Sequence, residues 1–231
     1  MMSKIRNDGH KWNHKRVYRI YCELGLNIRV KPKKRLVSGN PVKLIQPIKL
    51  NSCWSVDFMS DVLRSGRRFR TFNVIDDCNR EALLINPSHC LPAYEVTRLL
   101  DQLADMRGYP DVIRCDNGPE FRSGYFQQWA KDRGVRIEFI QPGKPAQNGF
   151  IERFNRTYRE DILDAYLFDS LQEVKKVTAK WMRSYNYERP HQSLGNLSPI
   201  DFVNQKPVMT SDLEKRHPFW MKGDVSALKL P

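Results

Sequence analysis

Apolar positions change their period several times along the chain, and each change marks an element. Between Asn13 and Leu24, the residues Val17, Ile20, Tyr21 and Leu24 recur at helical spacing. Lys15, Arg16 and Arg19 lie off that stripe, so a short helix capped by Gly25 is predicted. Residues 1–12 show no such pattern and are expected to be flexible. From Ser52 the period shortens to two. Trp54 to Met59, Phe69 to Asp76 and Ala82 to Ile85 read as three strands, with Ser65-Gly66 at the first turn, and so as an antiparallel meander. Leu91 to Arg107 returns to helical spacing through Val96, Leu99, Leu100 and Leu103, with Pro92 in the first turn and Gly108 and Pro110 beyond the end. A short strand, Val112 to Cys115, runs into the turn Asp116-Asn117-Gly118-Pro119. A helix from Tyr125 to Arg133 stops at Gly134, and Val135 to Ile140 alternates as a fifth strand. After the break at Pro142-Gly143-Lys144-Pro145, one long helix is expected from near Asn148 to about Tyr166 and another from about Leu171 to Tyr185. Residues 190–199 read as a loop, and no pattern is visible after Pro207.

The order β-β-β-α-β-α-β-α, then further helix, predicts an α/β fold. Its mixed five-stranded sheet would be flanked by helices, with a helical arm before it and helices after it. The boundaries that follow are an arm and linker over 1–50, a core over 51–168, a helical extension over 169–205 and a tail over 206–231.

Charge divides the chain at the first of those boundaries. The net charge is +13, and residues 1–50 hold thirteen Lys or Arg against two Asp or Glu, a net of +11. The rest is nearly balanced, so a basic arm precedes an almost neutral domain. Lys31-Pro32-Lys33-Lys34-Arg35 is its densest run, followed by an extended Gly39-Asn40-Pro41 linker. A solvated linker would also carry such a run. Set in an arm that is basic throughout, Lys31, Lys33, Lys34 and Arg35 are assigned to phosphate contact, with nucleic acid as the partner. No stretch of about 18 apolar residues exists to span a membrane, and the basic N-terminus lacks the apolar segment of a secretory signal. Five cysteines without a C-x-x-C pair argue against a disulfide framework or zinc ribbon and for a reducing cytosol.

Three acids stand out. Asp57 lies inside an apolar strand, where an acid is disfavoured. It points away from Val56 and Phe58, to the same side as Ser55 and Met59. Asp116 ends the fourth strand, and Glu152 falls in the first turns of the long helix. Each has an ordinary reading, as a turn residue for Asp116 and a helix-dipole partner for Glu152. Asp76 and Asp77, also at a strand end, are read as turn or capping residues. Three converging carboxylates repel one another unless cations bind them. Mg²⁺ prefers such oxygen donors, and two such ions about 3.5–4 Å apart support in-line phosphoryl transfer.

Thirty-five residues separate Asp116 from Glu152. That interval, with WSVDFM around Asp57, FNVIDDCNRE after the second strand, RCDNGPEF around Asp116 and FIQPGKPAQNGFIERFNRTYR around Glu152, resembles the Asp-Asp-Glu pattern of retroviral integrases and of one group of bacterial transposases. The closing words YNYERPHQSLGNLSPIDF match the same transposases. The chain resembles the integrase-like (orfB) transposases of insertion-sequence family three from about Asn13 to Phe202. The zinc-binding domain of retroviral integrases has no counterpart here, and the tail from Val208 resembles nothing in these transposases.

The resemblance implies a ribonuclease H-like core. It makes Asp57, Asp116 and Glu152 the catalytic residues and the ligands of two Mg²⁺ or Mn²⁺ ions. It also implies DNA cleavage and strand transfer at insertion-sequence ends, in a bacterial cytoplasm and associated with the nucleoid. A homo-oligomer on DNA is expected, with a helix-turn-helix from an upstream reading frame as partner or fusion. Arg159, seven residues after Glu152, would lie on the same helix face about 10 Å away and grip a phosphate. Lys144, Gln147, Asn148, Asn155 and Arg156 are further expected DNA contacts. Arg189 and His191 fall in the closing segment without a derivable role. A non-catalytic DNA-binding remnant is the alternative, and a ribonuclease acting on RNA–DNA hybrids would share the fold and the metals.

Overall fold

The structure is a computed structural model that describes residues 2–26, 44–141 and 145–205. Five strands form one sheet: β1 (Cys53–Val62), β2 (Arg68–Asp76), β3 (Ala82–Ser88), β4 (Val112–Cys115) and β5 (Arg136–Phe139). Their order across the sheet is β3-β2-β1-β4-β5. The β1–β2 and β2–β3 pairs are antiparallel, while β1–β4 and β4–β5 are parallel. The mixed sheet inferred from the pattern is therefore present, and strand pairing puts the first and fourth strands side by side.

Two apolar layers cover the sheet, and strand parity decides which residue meets which layer. Trp54 and Val56 of β1 and Phe72 and Val74 of β2 enter one core with Val96, Leu100 and Leu103 of α3 (Ala93–Arg107) and Phe126 of α5 (Gly124–Asp132). Met59, Phe69 and Ile75 enter the other. That second core is completed by Ile151, Phe154 and Tyr158 of α6 (Gly149–Tyr158) and by Val174, Met182 and Tyr185 of α7 (Leu171–Tyr187). Asp57, between Val56 and Phe58, belongs by parity to this second face.

Four elements depart from those expected. Met2–Asn7 forms a short helix, α1, whose Ser3 and Asn7 side chains and Lys4 ammonium reach Asn196 and Glu188 near the end of the described chain. Tertiary contact, not an apolar stripe, holds it. The predicted arm helix follows as α2 (His14–Glu23), capped by Asn13, whose side chain accepts from Lys15 N. Pro119–Arg122 forms a single helical turn, α4, with Pro119 at its start, where a missing N–H costs nothing. The long helix predicted to Tyr166 is α6 followed by a π-helical turn, Arg159–Leu163, in which Asp164 N donates to the Arg159 carbonyl at 2.8 Å. The wider turn resets the helical phase, so both Ile162 and Leu163 are buried. Residues 190–199 contain a 3₁₀ turn, Gln192–Leu194, and α8 (Pro199–Gln205) follows. The 206–231 tail lies outside the described residues. No helix among the described residues is long and apolar enough to cross a membrane.

Helix α7 is tied to the sheet edge by one side chain. Asn186 is buried, its Oδ1 accepts from Ala82 N at 2.8 Å, and its Nδ2 donates to the Ala82 carbonyl at 2.9 Å. It substitutes for a sixth strand at the start of β3. Asn186→Ala leaves both backbone groups unpartnered in a dry site and is expected to cost about 2–4 kcal/mol of unfolding free energy. Urea denaturation of the two proteins measures it, and a loss below about 0.5 kcal/mol would contradict this role.

Candidate active site

The parallel β1–β4 ladder does the first part of the assembly. It sets Cys53 against Val112 and Ser55 against Arg114. The same offset carries Asp57 to the level of Asp116, the residue after β4, and neighbouring strands lie about 4.8 Å apart. Asp116 is aimed by a tight turn. Its Oδ1 accepts from Gly118 N at 2.9 Å, and a Cβ on Gly118 would sit 2.9 Å from that same oxygen, so only glycine allows the approach. Asn117 Nδ2 donates to the Ile140 carbonyl at 2.7 Å and fixes the turn to the end of β5.

Helix α6 brings the third acid. Its apolar residues Ile151, Phe154 and Tyr158 bury against the sheet, which leaves Glu152 exposed at the helix start. One turn later, Asn155 is buried and locks the helix to the strands. Asn155 Nδ2 donates to Asp57 Oδ2 at 2.8 Å, and Asn155 Oδ1 accepts from Asn73 Nδ2 at 2.8 Å. Asn73 faces Asp57 across the β1–β2 ladder. An amide chain from β2 through α6 thus orients the Asp57 carboxylate. Burial pushes the Asp57 carboxyl up to about 6, and the charges of Asp116 and Glu152 push the same way. The Phe58 N–H and the Asn155 amide oppose that rise. Asp57 is thus held where ionisation is costly, beside two more acids.

These three are hard oxygen donors of the kind that take Mg²⁺ or Mn²⁺. Among the described residues, no group of three or more His, Cys, Asp or Glu side chains forms a ready-made metal cage. The donor chemistry and the mutual charge of the acids nevertheless fit a divalent cation.

The remaining candidates separate by position. Asn155, read from the sequence as a DNA contact, has its side chain committed to Asn73 and Asp57 beneath the surface. Arg156, next to it, is exposed. Arg159 begins the π turn, and its Nη2 donates to the Ser60 carbonyl at 2.9 Å, with Asp61 and Asp164 each 3.6 Å from Nη1. Its guanidinium thus lies over β1 just past Asp57. Gln147 Oε1 accepts from Gln141 N at 2.8 Å and closes the loop before α6. Asn148 is buried at the helix start, and its Oδ1 has no partner among the described residues. Lys144 and the basic run Lys31, Lys33, Lys34 and Arg35 lie outside the described residues.

Asp76 and Asp77 are structural. Asp76 accepts from Cys78 N and from Asn51 N, and Asp77 pairs with Arg114 at 2.7 Å. Glu81 closes the same buried turn with two hydrogen bonds from Arg107, at 2.8 and 3.0 Å. Sequence reasoning did not find Asn73. Its signal was an amide inside the apolar strand FNVI, on the parity of a facing acid.

With the geometry in hand, comparison places the chain. Two family models described as Integrase core domain match residues 49–145 and 133–199. An uncharacterized 31.7 kDa protein of insertion element IS407 from Burkholderia multivorans is 41% identical over 199 residues, covering 86% of this chain and 72% of that protein. The chain belongs to the integrase core domain family of insertion-sequence transposases. An uncharacterized 39.2 kDa protein of IS476 from Xanthomonas euvesicatoria is 42% identical over 191 residues, and this chain spans 55% of its length. The putative transposase InsK of IS150 from Escherichia coli is 25% identical over 213 residues, covering 87% and 75% of the two chains. Among solved structures, the magnesium complex of the HTLV-2 integrase catalytic core domain superposes with a TM-score of 0.54 at 18% identity, covering 67% of this chain and 97% of that one. A chain of the simian T-cell lymphotropic virus intasome gives 0.55 at 18% identity, covering 78% and 62%. The integrase core is thus the ribonuclease H-like fold that the sequence implied.

Removing the amide that steadies Asp57 should show in its titration. Asn155→Ala is expected to raise the Asp57 carboxyl above about 6, since that hydrogen bond favours the ionised form. Carbon-13 NMR of the Asp57 carboxyl across pH measures it, and an unmoved midpoint would refute the positioning role.

Proposed function

We propose that this protein is a transposase that cuts DNA at insertion-sequence ends and joins the freed 3′-hydroxyl to a target phosphate. The reading is supported most by the β1–β4 register, which levels Asp57 with Asp116, and by the charges of Asp116 and Glu152, both of which act on the buried Asp57 carboxyl. Asp57, Asp116 and Glu152 are the residues that would hold two Mg²⁺ or Mn²⁺ ions. When bound, such ions lower the cost of deprotonating water or a 3′-hydroxyl and offset charge on the leaving oxygen. The chain's own contribution is positional. Asn155 and Asn73 fix the Asp57 carboxylate, the Gly118 turn aims Asp116, and the exposed Arg156 and the half-buried Arg159 lie along α6 and its π turn to take backbone phosphates. In the first step water attacks a phosphodiester, the P–O3′ bond breaks and a 3′-hydroxyl leaves. In the second step that hydroxyl attacks target DNA and displaces another 3′-oxygen. Neither step needs a covalent bond to the protein.

The protein would work on DNA in the bacterial cytoplasm, associated with the nucleoid, as a homo-oligomer that holds both ends. The 1–50 arm would add electrostatic grip, and a helix-turn-helix from an upstream frame, as partner or fusion, would supply end recognition. The IS407 and IS476 relatives are longer than this chain, which spans 72% and 55% of their lengths.

Asp57→Asn tests the assignment. It is expected to abolish Mg²⁺-dependent nicking of a labelled transposon-end duplex. Nicking that survives the change would reject Asp57 as a ligand, and DNA binding with no nicking under any metal would favour a binding-only remnant. The folded protein holds the Asp57 proton more tightly than the unfolded chain, where an aspartate titrates near 3.9. Stability is therefore lost as pH rises from about 4 to 6. Asp57→Asn should raise unfolding free energy by on the order of 1 kcal/mol above pH 6, and the gain should vanish below about pH 4. Mg²⁺ should raise the wild-type melting temperature at neutral pH and leave that of the variant unchanged.

A further inference from the structure

A depression lies on the face of α6 that carries Arg153, the residue after Glu152. It is a cleft of about 440 Å³ between α6 and the segment after α7, and Arg80, Phe150, Arg153, Tyr185, Arg189 and His191 are among its walls. Three of these are arginines, and no carboxylate is among the described residues that line it.

Each group is in a distinct state. Arg80 is buried, with its guanidinium 3.3 Å from the Phe150 ring centroid and a hydrogen bond to the Asp77 carbonyl. Arg189 pairs with Asp161. Arg153 is exposed, and its guanidinium has no hydrogen bond or ion pair among the described residues. His191 Nε2 is buried and has no hydrogen-bond partner among the described residues. Burial, then the charges of Arg189, Arg153 and Arg80, hold that imidazole down to about 4, so it is neutral near pH 7. A buried polar atom without a partner costs about 1–3 kcal/mol unless a ligand meets it. Guanidinium forks match the oxygens of a phosphate group.

We propose that this cleft binds a backbone phosphate of the DNA strand that passes the acidic site, an inference that rests on the transposase reading. Glu152 and Arg153 are consecutive, with Cα atoms about 3.8 Å apart, so one strand can touch both faces of α6. The basic arm meets the rim as well, where Asn7 Nδ2 donates to the Asn196 carbonyl at 3.0 Å and Lys4 pairs with Glu188 at 3.1 Å. Helix α1, the cleft and Glu152 would then lie along one path for the strand. This gives the closing segment, with Arg189 and His191, a role in DNA contact.

The test uses the full chain, a fluorescent transposon-end duplex and Ca²⁺ in place of Mg²⁺. Arg153→Gln is compared with Arg67→Gln, which removes the same charge from the exposed β1–β2 turn. Arg153→Gln should reduce the slope of log K against log salt by about 0.9, one phosphate contact, and Arg67→Gln by clearly less. In NMR of the wild type, the duplex should raise the His191 midpoint. An unchanged slope, equal losses in both variants, or a His191 that moves with inorganic phosphate but not with the duplex would each overturn the proposal. Mg²⁺-dependent nicking by the wild type is scored on the same duplex. Nicking beside an unchanged Arg153 slope sinks the cleft alone. A reduced slope without nicking sinks the transposase reading and leaves the cleft as a phosphate site.

Discussion

An acid in the central strand of a sheet must be held in place against its own desolvation, and the rest of this molecule is arranged around that constraint. Asp57 sits where β1 turns a polar side chain toward a largely apolar helical layer. Asn155 reaches it from α6, and Asn73 reaches Asn155 from β2. Those two hydrogen bonds couple helix to sheet through polar groups beside the apolar contacts of Met59, Ile151 and Phe154. The arrangement resists two opposing failures. An unsupported carboxylate would take up a proton, and an unsupported helix would move Glu152 away. Asp116 comes by a different route, since the parallel β1–β4 register alone sets its level, and Gly118 leaves room for it.

The buried charges of the turn after β2 are paired within the protein, Asp77 with Arg114 and Glu81 with Arg107. Buried pairs of this kind contribute little net stability, but losing one partner strands the other. Glu152 and Arg153, which have no such partner among the described residues, follow one another on α6. A helix that carries a phosphoryl-transfer centre on one face and a cationic cleft on the next is suited to a polyanionic substrate that has to stay in register.

Much of this was legible in the sequence, and what was not has physical reasons. Alternation in β1 and β2, the apolar stripe of α3 and the Asp-Asn-Gly-Pro turn gave five strands and their mixed pairing. The family resemblance then drew Asp57, Asp116 and Glu152 out of 26 acidic residues. Short helices without a stripe escaped, because α1 is held by contacts to Asn196 and Glu188 and α4 by Pro119 and one buried phenylalanine, Phe121. The π turn escaped because the residues of a wide turn do not announce it. Asn155 was placed at the surface because helical periodicity gives a face and not a depth. Asn73 and the Arg153 cleft depend on pairing between distant segments, which no local pattern encodes.

The central claim is that Asp57, Asp116 and Glu152 share divalent cations. Crystals of the full chain soaked in Mn²⁺ and measured at the manganese absorption edge would show it directly. The account predicts anomalous peaks bonded to carboxylate oxygens of both Asp57 and Asp116, with Glu152 on one of the same ions. Peaks elsewhere with these carboxylates bare, or Asp57 and Asp116 on separate ions with no shared ligand, would contradict it.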